Sequence, residues 1–354
     1  MKKTLLVLLA CIITGCKCSN PLGSTSLMDI KQNDAQSDGL FFVNTSSYLY
    51  GFDTSNFEQK VKIQFNTHIA FGDKADDGRL VIADQGAKAG SYGNRLLVLD
   101  NKYNLIREIT TNSTPTDAQI INGHIFIGAA TMISGSKFGL QIFNANTYSL
   151  EKELQVDNII IRDNYSKTND NVFISVGNYR AVDSVPPYVL KGELSNLTFS
   201  KYTAYRPDYR KARIFSSVFD STLIVTTPAI IDSFHISAID LNNGATISTI
   251  QLDTVPSVMG DFGESILLPP CLKNGKLYYI LQEVAYPSKR CKLICLNYPQ
   301  LSIASVRDLN FEFRLVAFDY YYLNSTTLII YSKDNGLGVI SVPDGTLLKH
   351  VNIE

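Results

Sequence analysis

One pattern, repeated seven times, limits what this chain can become. Each copy has an aliphatic strand, a variable loop, a second strand ending near Asp or Asn, a tight turn and a third strand. The clearest copy runs Gly78-Arg79-Leu80-Val81-Ile82-Ala83-Asp84, then Arg95-Leu96-Leu97-Val98-Leu99-Asp100, a turn over Asn101–Asn104, and Leu105–Thr110. Others begin near residues 39, 123, 171, 221, 275 and 326. Stretches such as Ala118–Ile121 and Asp319–Leu323 leave room for a fourth strand between copies. Helical periodicity is absent, and apolar residues at nearly every strand position suit sheets buried on both faces. Four-stranded units at this period give an all-β fold, a β-propeller of about seven four-stranded blades. Six or eight blades remain open because the spacing drifts, and a solenoid or paired sandwiches fit the long loops less well. For closure, Leu27–Lys31 is expected as the first inner strand and Thr346–Ile353 as the last outer strand.

The N-terminus reads as a targeting segment. Met1-Lys2-Lys3 precedes an uncharged apolar run from Leu5 to Ile13 and then Ile13-Thr14-Gly15-Cys16. The run is shorter than the roughly 20 residues a bilayer span needs, and basic start, apolar core and small residues form a signal-peptide pattern. Ile13-Thr14-Gly15-Cys16 resembles the lipobox of bacterial lipoproteins. That resemblance implies cleavage before Cys16, a diacylated Cys16 thiol and usually an acylated amino group. At about 0.8 kcal/mol per buried methylene, several acyl chains make a durable anchor. The alternative is an ordinary secretory signal in which Cys16 is incidental. The expected domains are a signal over residues 1–15, a lipidated, small and polar tether over 16–26, and a propeller over 27–354. After Cys16 come Lys17-Cys18-Ser19-Asn20, without an aspartate or an acidic run. By the same resemblance, this favours an outer-membrane lipoprotein on the periplasmic face over the cell surface.

Apolar residues at 45% and charged residues at 18% describe a globular body. The net charge of −1 gives no reason to expect nucleic acid as a partner. Of six cysteines, Cys18, Cys271, Cys291 and Cys295 remain once Cys11 and Cys16 are assigned. Cys291 and Cys295 share one predicted strand, roughly 13 Å apart, too far to bridge. Cys271 can meet one of them from a neighbouring strand, or all can be buried free thiols. No His pattern completes a metal site, so no metal or cofactor is expected.

The chain lacks tryptophan. That removes the Trp-Asp of WD40 repeats, the tryptophan-docked blades of quinoprotein dehydrogenases and the sialidase Asp-box. No kelch double glycine occurs. Lipobox, polar tether and divergent blades together resemble Bacteroidota propeller lipoproteins of uncharacterised function. The Gly-Pro-x-Glu segment that some of those families carry is not found here.

Propellers bind at the channel mouth, so long loops supply the candidate ligand-binding residues. Gln85–Asn94 is glycine-rich and carries Lys88 and Tyr92, but lacks phosphate-cradling spacing. Tyr179 and Arg180 precede Asp183 and Pro186-Pro187, and Tyr286 and Arg290 bracket a second loop. Tyr202–Arg213 interleaves Tyr205, Arg206, Tyr209 and Arg210, which suits anionic or carbohydrate ligands through paired guanidinium contacts. Ordinary solvated loops are the plain alternative at each. Asp73, Asp76 and Asp77 read as a hairpin turn, and His68, His124, His235 and His350 as structural, without acid partners. The expectation is a non-enzymatic, lipid-tethered binding module in the cell envelope, taking an envelope protein, peptide or glycan. The alternative is a carbohydrate-active hydrolase or lyase with carboxylates in the channel.

Overall fold

The middle strands of each repeat are apolar at consecutive positions, which a strand tolerates only if both of its faces are covered. A computed structural model shows how that is met. It describes residues 28–32, 38–45, 47–86, 93–112, 114–129, 138–156, 159–177, 188–202, 214–228, 233–253, 266–267, 270–285, 288–309, 318–324, 326–332 and 336–353. The expected signal, Cys16 and the tether lie outside the described residues.

The described residues form a seven-bladed β-propeller of antiparallel sheets. Blade 1 holds β1 (Met28–Gln32), β2 (Leu40–Asn44), β3 (Tyr48–Asp53) and β4 (Gln59–Phe65). Blade 2 holds β5 (His68–Lys74), β6 (Leu80–Gly86), β7 (Arg95–Leu99) and β8 (Leu105–Thr110). Blade 3 is β9 (Pro115–Ile121), β10 (His124–Ala129), β11 (Phe138–Asn144) and β12 (Leu150–Val156). Blade 4 is β13 (Ile159–Lys167), β14 (Asn171–Gly177), β15 (Tyr188–Glu193) and β16 (Thr198–Tyr202). Blade 5 is β17 (Phe215–Phe219), β18 (Thr222–Pro228), β19 (Ser233–Asp240) and β20 (Thr246–Asp253). Blade 6 splits its inner strand into β21 (Ile266–Leu267) and β22 (Cys271–Lys273), both paired with β23 (Lys276–Ala285), followed by β24 (Ser288–Asn297) and β25 (Ile303–Leu309). Blade 7 is β26 (Phe318–Asn324), β27 (Thr327–Ser332), β28 (Gly336–Ser341) and β29 (Thr346–Val351).

Seven apolar clusters fill the seven gaps between neighbouring blades. Alternation along each middle strand serves two gaps at once. In β6, Leu80 and Ile82 pack toward blade 1, while Val81 and Ala83 pack toward blade 3. In β27, Leu328 and Ile330 face blade 6 and Ile329 faces blade 1. Outer strands have one solvated face, and the mostly exposed residues of β12 and β25 follow from that.

The turn between third and fourth strands recurs in every blade. Phe57, Tyr103, Tyr148, Leu197, Gly244, Leu301 and Gly345 all adopt positive φ there. Each donates its amide back to the end of the preceding strand, as Phe57 does to Asp53 and Leu301 to Asn297. The left-handed conformation costs a non-glycine residue about 1–2 kcal/mol. Burial offsets this, since Tyr103, Leu197 and Leu301 bury their side chains in the gaps. The Asp or Asn ending the third strand caps the turn: Asp53 accepts the Ser55 amide at 2.7 Å and Asp100 accepts the amides of Lys102 and Asn104 at 2.8 Å.

Closure differs from the sequence expectation in one respect. Met28–Gln32 pairs with β4 on the outer edge of blade 1, so it is not the inner strand. Among the described residues, neither terminal blade borrows a strand from the other end of the chain. The ring closes face to face instead: Phe41, Val43, Tyr50 and Phe52 pack on Ile329, Leu337 and Val339, and Lys349 Nζ donates to the Asn56 carbonyl. Thr346–Val351 is the last outer strand, as expected.

Two outcomes follow. Phe52→Ala, in the closing gap, should cost about 3–5 kcal/mol, whereas Leu348→Ala on the surface should stay within about 0.5, read by denaturant unfolding. Hydrogen bonds from the Ser55 hydroxyl and amide hold the Asp53 carboxyl below the usual range. A depressed carboxyl stabilises the fold above the unfolded pKa near 3.9 and loses that contribution as pH falls through the folded value. An acid titration of Ser55→Ala should therefore begin unfolding at higher pH than the parent.

Candidate functional site

Antiparallel order sorts the connections onto two faces. Turns joining first to second strands in blades 2 to 7, and third to fourth strands in every blade, lie on one face and span two to five residues. Connections joining second to third strands, and one blade to the next, lie on the other. There they reach eight residues between β6 and β7, ten between β14 and β15, and twelve between β16 and β17 and between β20 and β21. Cross-blade hydrogen bonds confirm the shared orientation. Asp73 near the end of β5 accepts the amide of Ile120 near the end of β9 at 2.9 Å, and Lys74 donates to Leu40 at the start of β2 at 2.6 Å.

Nine of the ten residues singled out from the sequence belong to segments between strand ends on the long-loop face. Lys88 and Tyr92 lie between β6 and β7; Tyr179 and Arg180 between β14 and β15. Tyr205, Arg206, Tyr209 and Arg210 lie between β16 and β17, and Tyr286 between β23 and β24. These nine are outside the described residues. Arg290 is not on a loop: β23 and β24 run on until two residues separate them, and Arg290 pairs in register with Glu283.

The stem of the Lys88–Tyr92 loop is held by groups the sequence reading missed. Asp84, 1% exposed, accepts Arg95 Nε at 2.6 Å and the Gly86 amide at 2.9 Å. Arg95 also reaches Glu108 at 3.1 Å, so a carboxylate–guanidinium–carboxylate chain crosses β6, β7 and β8. A Cβ at Gly93 would sit 2.2 Å from the Asp84 carbonyl, so only glycine lets the returning chain pass there. Antiparallel pairing of Asp84 with Arg95 was the available signal. Polar links continue in the gaps of later blades: Ser175 Oγ lies 2.7 Å from Ser216 Oγ, and Thr226 Oγ1 3.4 Å from the Tyr279 hydroxyl.

Three other expectations are corrected or sharpened. His124 does have an acid partner, since Nδ1 lies 2.5 Å from Glu151 Oε2. That pair sits beside the short-turn face, where Glu151 also accepts from Asn144. Asp73 belongs to inner strand β5 rather than to the turn; burial raises its pKa, opposed by the amides of Ile120 and Lys74. Cys271 and Cys295 both pair with Tyr278, from opposite sides of β23, so a strand lies between them. Cys271, Cys291 and Cys295 are buried and form no disulfide among the described residues. Burial pushes the Cys271 thiol up to about 12, which keeps it protonated and weakly nucleophilic. Among the described residues, no three His, Cys, Asp or Glu side chains gather as a metal site.

No protein-family model matches the chain, and no curated protein matches its sequence. Solved structures do resemble its fold. BamB from Moraxella catarrhalis aligns at a TM-score of 0.53 and 11% identity, over 93% of this chain and 91% of that one. Kluyveromyces lactis Hsv2 aligns at 0.59 and 10%, over 91% and 98%. The dihydro-heme d1 dehydrogenase NirN, in complex with DHE, aligns at 0.55 and 13%, over 90% of this chain and 65% of that one. These identities establish the propeller and no activity.

Asp84→Ala should cost about 2–3 kcal/mol, because it leaves a partly buried guanidinium short of its partner. It should also speed proteolysis within residues 87–92, measured by limited digestion at fixed fraction folded.

Proposed function

We propose that this chain is a non-enzymatic binding module, held to the cell envelope by lipid on Cys16. It presents its long-loop face to an envelope protein, peptide or glycan. The observation that carries this is the one-sided arrangement: the long connections, and the tyrosines and arginines in them, arise from strand ends on one face of a ring. Tyr and Arg are the side chains that binding surfaces favour. The stem ion pairs and Gly93 give one of these loops a fixed base, which lowers the ordering cost of binding. The fold alone does not choose between binding and catalysis, since one structural neighbour is a dehydrogenase in complex with DHE.

The anchor reading rests on Ile13-Thr14-Gly15-Cys16, and Lys17-Cys18-Ser19-Asn20, without an aspartate or acidic run, favours the periplasmic side of the outer membrane over the cell surface. Cys16→Ala should move the full chain from the detergent phase to the aqueous phase on phase partitioning. For recognition, the full chain should be screened against acidic oligosaccharides and extended envelope peptides. The double variant Arg206→Ala/Arg210→Ala should lose about tenfold or more in affinity for the bound probe, the loss expected for charge-assisted hydrogen bonds, with unchanged unfolding. Turnover of a glycan that a single carboxylate or histidine substitution abolishes would overturn the reading.

A further inference from the structure

Large apolar side chains on the surface are unevenly placed around the ring. Ile247, Ile303, Val306, Leu347 and Leu348, between 37% and 54% exposed, all stand on β20, β25 and β29, the outer strands of blades 5, 6 and 7. Ile106 and Leu150, on the outer strands of blades 2 and 3, complete the set among the described residues. The local sequence separates the two groups. Ile106 is followed by Arg107 and Leu150 by Glu151, the kind of charge that protects an outer strand. Thr246–Leu252, Ile303–Val306 and Thr346–Leu348 contain no charged residue.

One link, made three times, joins the five side chains into a single arc. In each case the outer strand of one blade reaches the turn that leads into the next blade's outer strand. Ser248, beside Ile247, donates to the Pro299 carbonyl at 2.5 Å. Arg307, beside Val306, donates to the Pro343 carbonyl at 2.6 Å. Lys349, beside Leu348, donates to the Asn56 carbonyl of blade 1. The arc therefore runs along the rim through blades 5, 6 and 7 and ends against blade 1.

That end is where the preceding chain arrives. β1 lies on the outer edge of β4, so Met28 is at the rim of blade 1, and blade 1 packs on blade 7. Residues 16–27 precede it, and twelve residues reach about 40 Å at full extension. Acyl chains on Cys16 would keep the rim of blade 1, and the arc beside it, within that distance of a bilayer. On the other side of blade 1, the outer strands of blades 2 and 3 carry Arg107, Glu108, Glu151 and Glu153, which favour water. The uncharged aliphatic arc instead gains free energy by entering the boundary between headgroups and acyl chains.

We propose that the rim of blades 5 to 7 is a membrane-docking surface, which lies on the bilayer that holds the Cys16 lipid. This rests on the anchor reading given above. Docked in this way, the ring stands edge-on, and its long-loop face opens sideways, clear of the bilayer.

Because the chain lacks tryptophan, one introduced indole reports its own surroundings. The full chain is extracted from cell membranes and reconstituted in phosphatidylethanolamine–phosphatidylglycerol vesicles with brominated acyl chains. Three single variants are compared: Leu348→Trp and Ile303→Trp on the arc, and Leu150→Trp on blade 3. Flotation with the vesicles reads the anchor, and quenching of the indole by bromine reads docking. All three should float, and quenching in Leu348→Trp and Ile303→Trp should be at least about threefold that in Leu150→Trp. Flotation with equal quenching in all three, or with none, would overturn docking and leave the anchor standing. A blue-shifted but unquenched signal in Leu348→Trp would also overturn it, by showing that a second copy or another protein covers the arc. Failure to float would overturn the anchor and the docking together.

Discussion

Burial of the middle strands on both faces is the constraint from which the rest of this structure follows. A strand such as Leu80–Gly86 sends Leu80 and Ile82 one way and Val81 and Ala83 the other. No blade can satisfy both faces alone, and a stack with two ends would leave two apolar faces in water. Closing the row into a ring removes both ends. The seventh cluster, joining Phe52 and Tyr50 to Val339 and Leu337, makes that closure, with no strand shared between the termini among the described residues.

The ring fixes the geometry of the loops. Alternating strand direction puts the capped turns between third and fourth strands on one face and the connections of eight to twelve residues on the other. The short-turn face takes part in holding blades together: Arg79 reaches Ala145 and Tyr148 in the next blade, and Tyr298 reaches Phe219. On the other face Asn44 likewise ties blade 1 to blade 2, donating to the Ile69 carbonyl and accepting the Phe71 amide, and the long connections leave the strand ends beyond such links. At its base, the Asp84–Arg95–Glu108 chain replaces apolar packing with charge pairing where two strands part.

The sequence displayed the repeat plainly because its three clearest strands are hydrophobic and its third strand ends on a capping Asp or Asn. Asp100, Asn144, Asp240 and Asn297 are conspicuous for that reason, and so the seven units and their turns were legible. Inner strands were less so: Pro115–Ile121 and Phe318–Asn324 mix polar and apolar residues and show no sharp alternation. The position of Met28–Gln32 was not legible, since a five-residue polar strand suits either edge of a sheet. Pairings that depend on register escaped for a related reason. His124 with Glu151, and Asp84 with Arg95, are far apart in sequence or separated by a loop, and only the pairing of strands brings them together.

The central claim is that seven blades form one closed ring whose last gap is as firmly packed as the others. Amide hydrogen exchange resolved by blade tests it most directly, because opening free energy is read separately for each gap. A closed ring predicts that the middle strands β3 and β28, at the junction of blades 1 and 7, exchange as slowly as β11 and β15 within blades 3 and 4. Markedly faster exchange confined to β3 and β28 would mean that the ring stands open there, and would contradict the account.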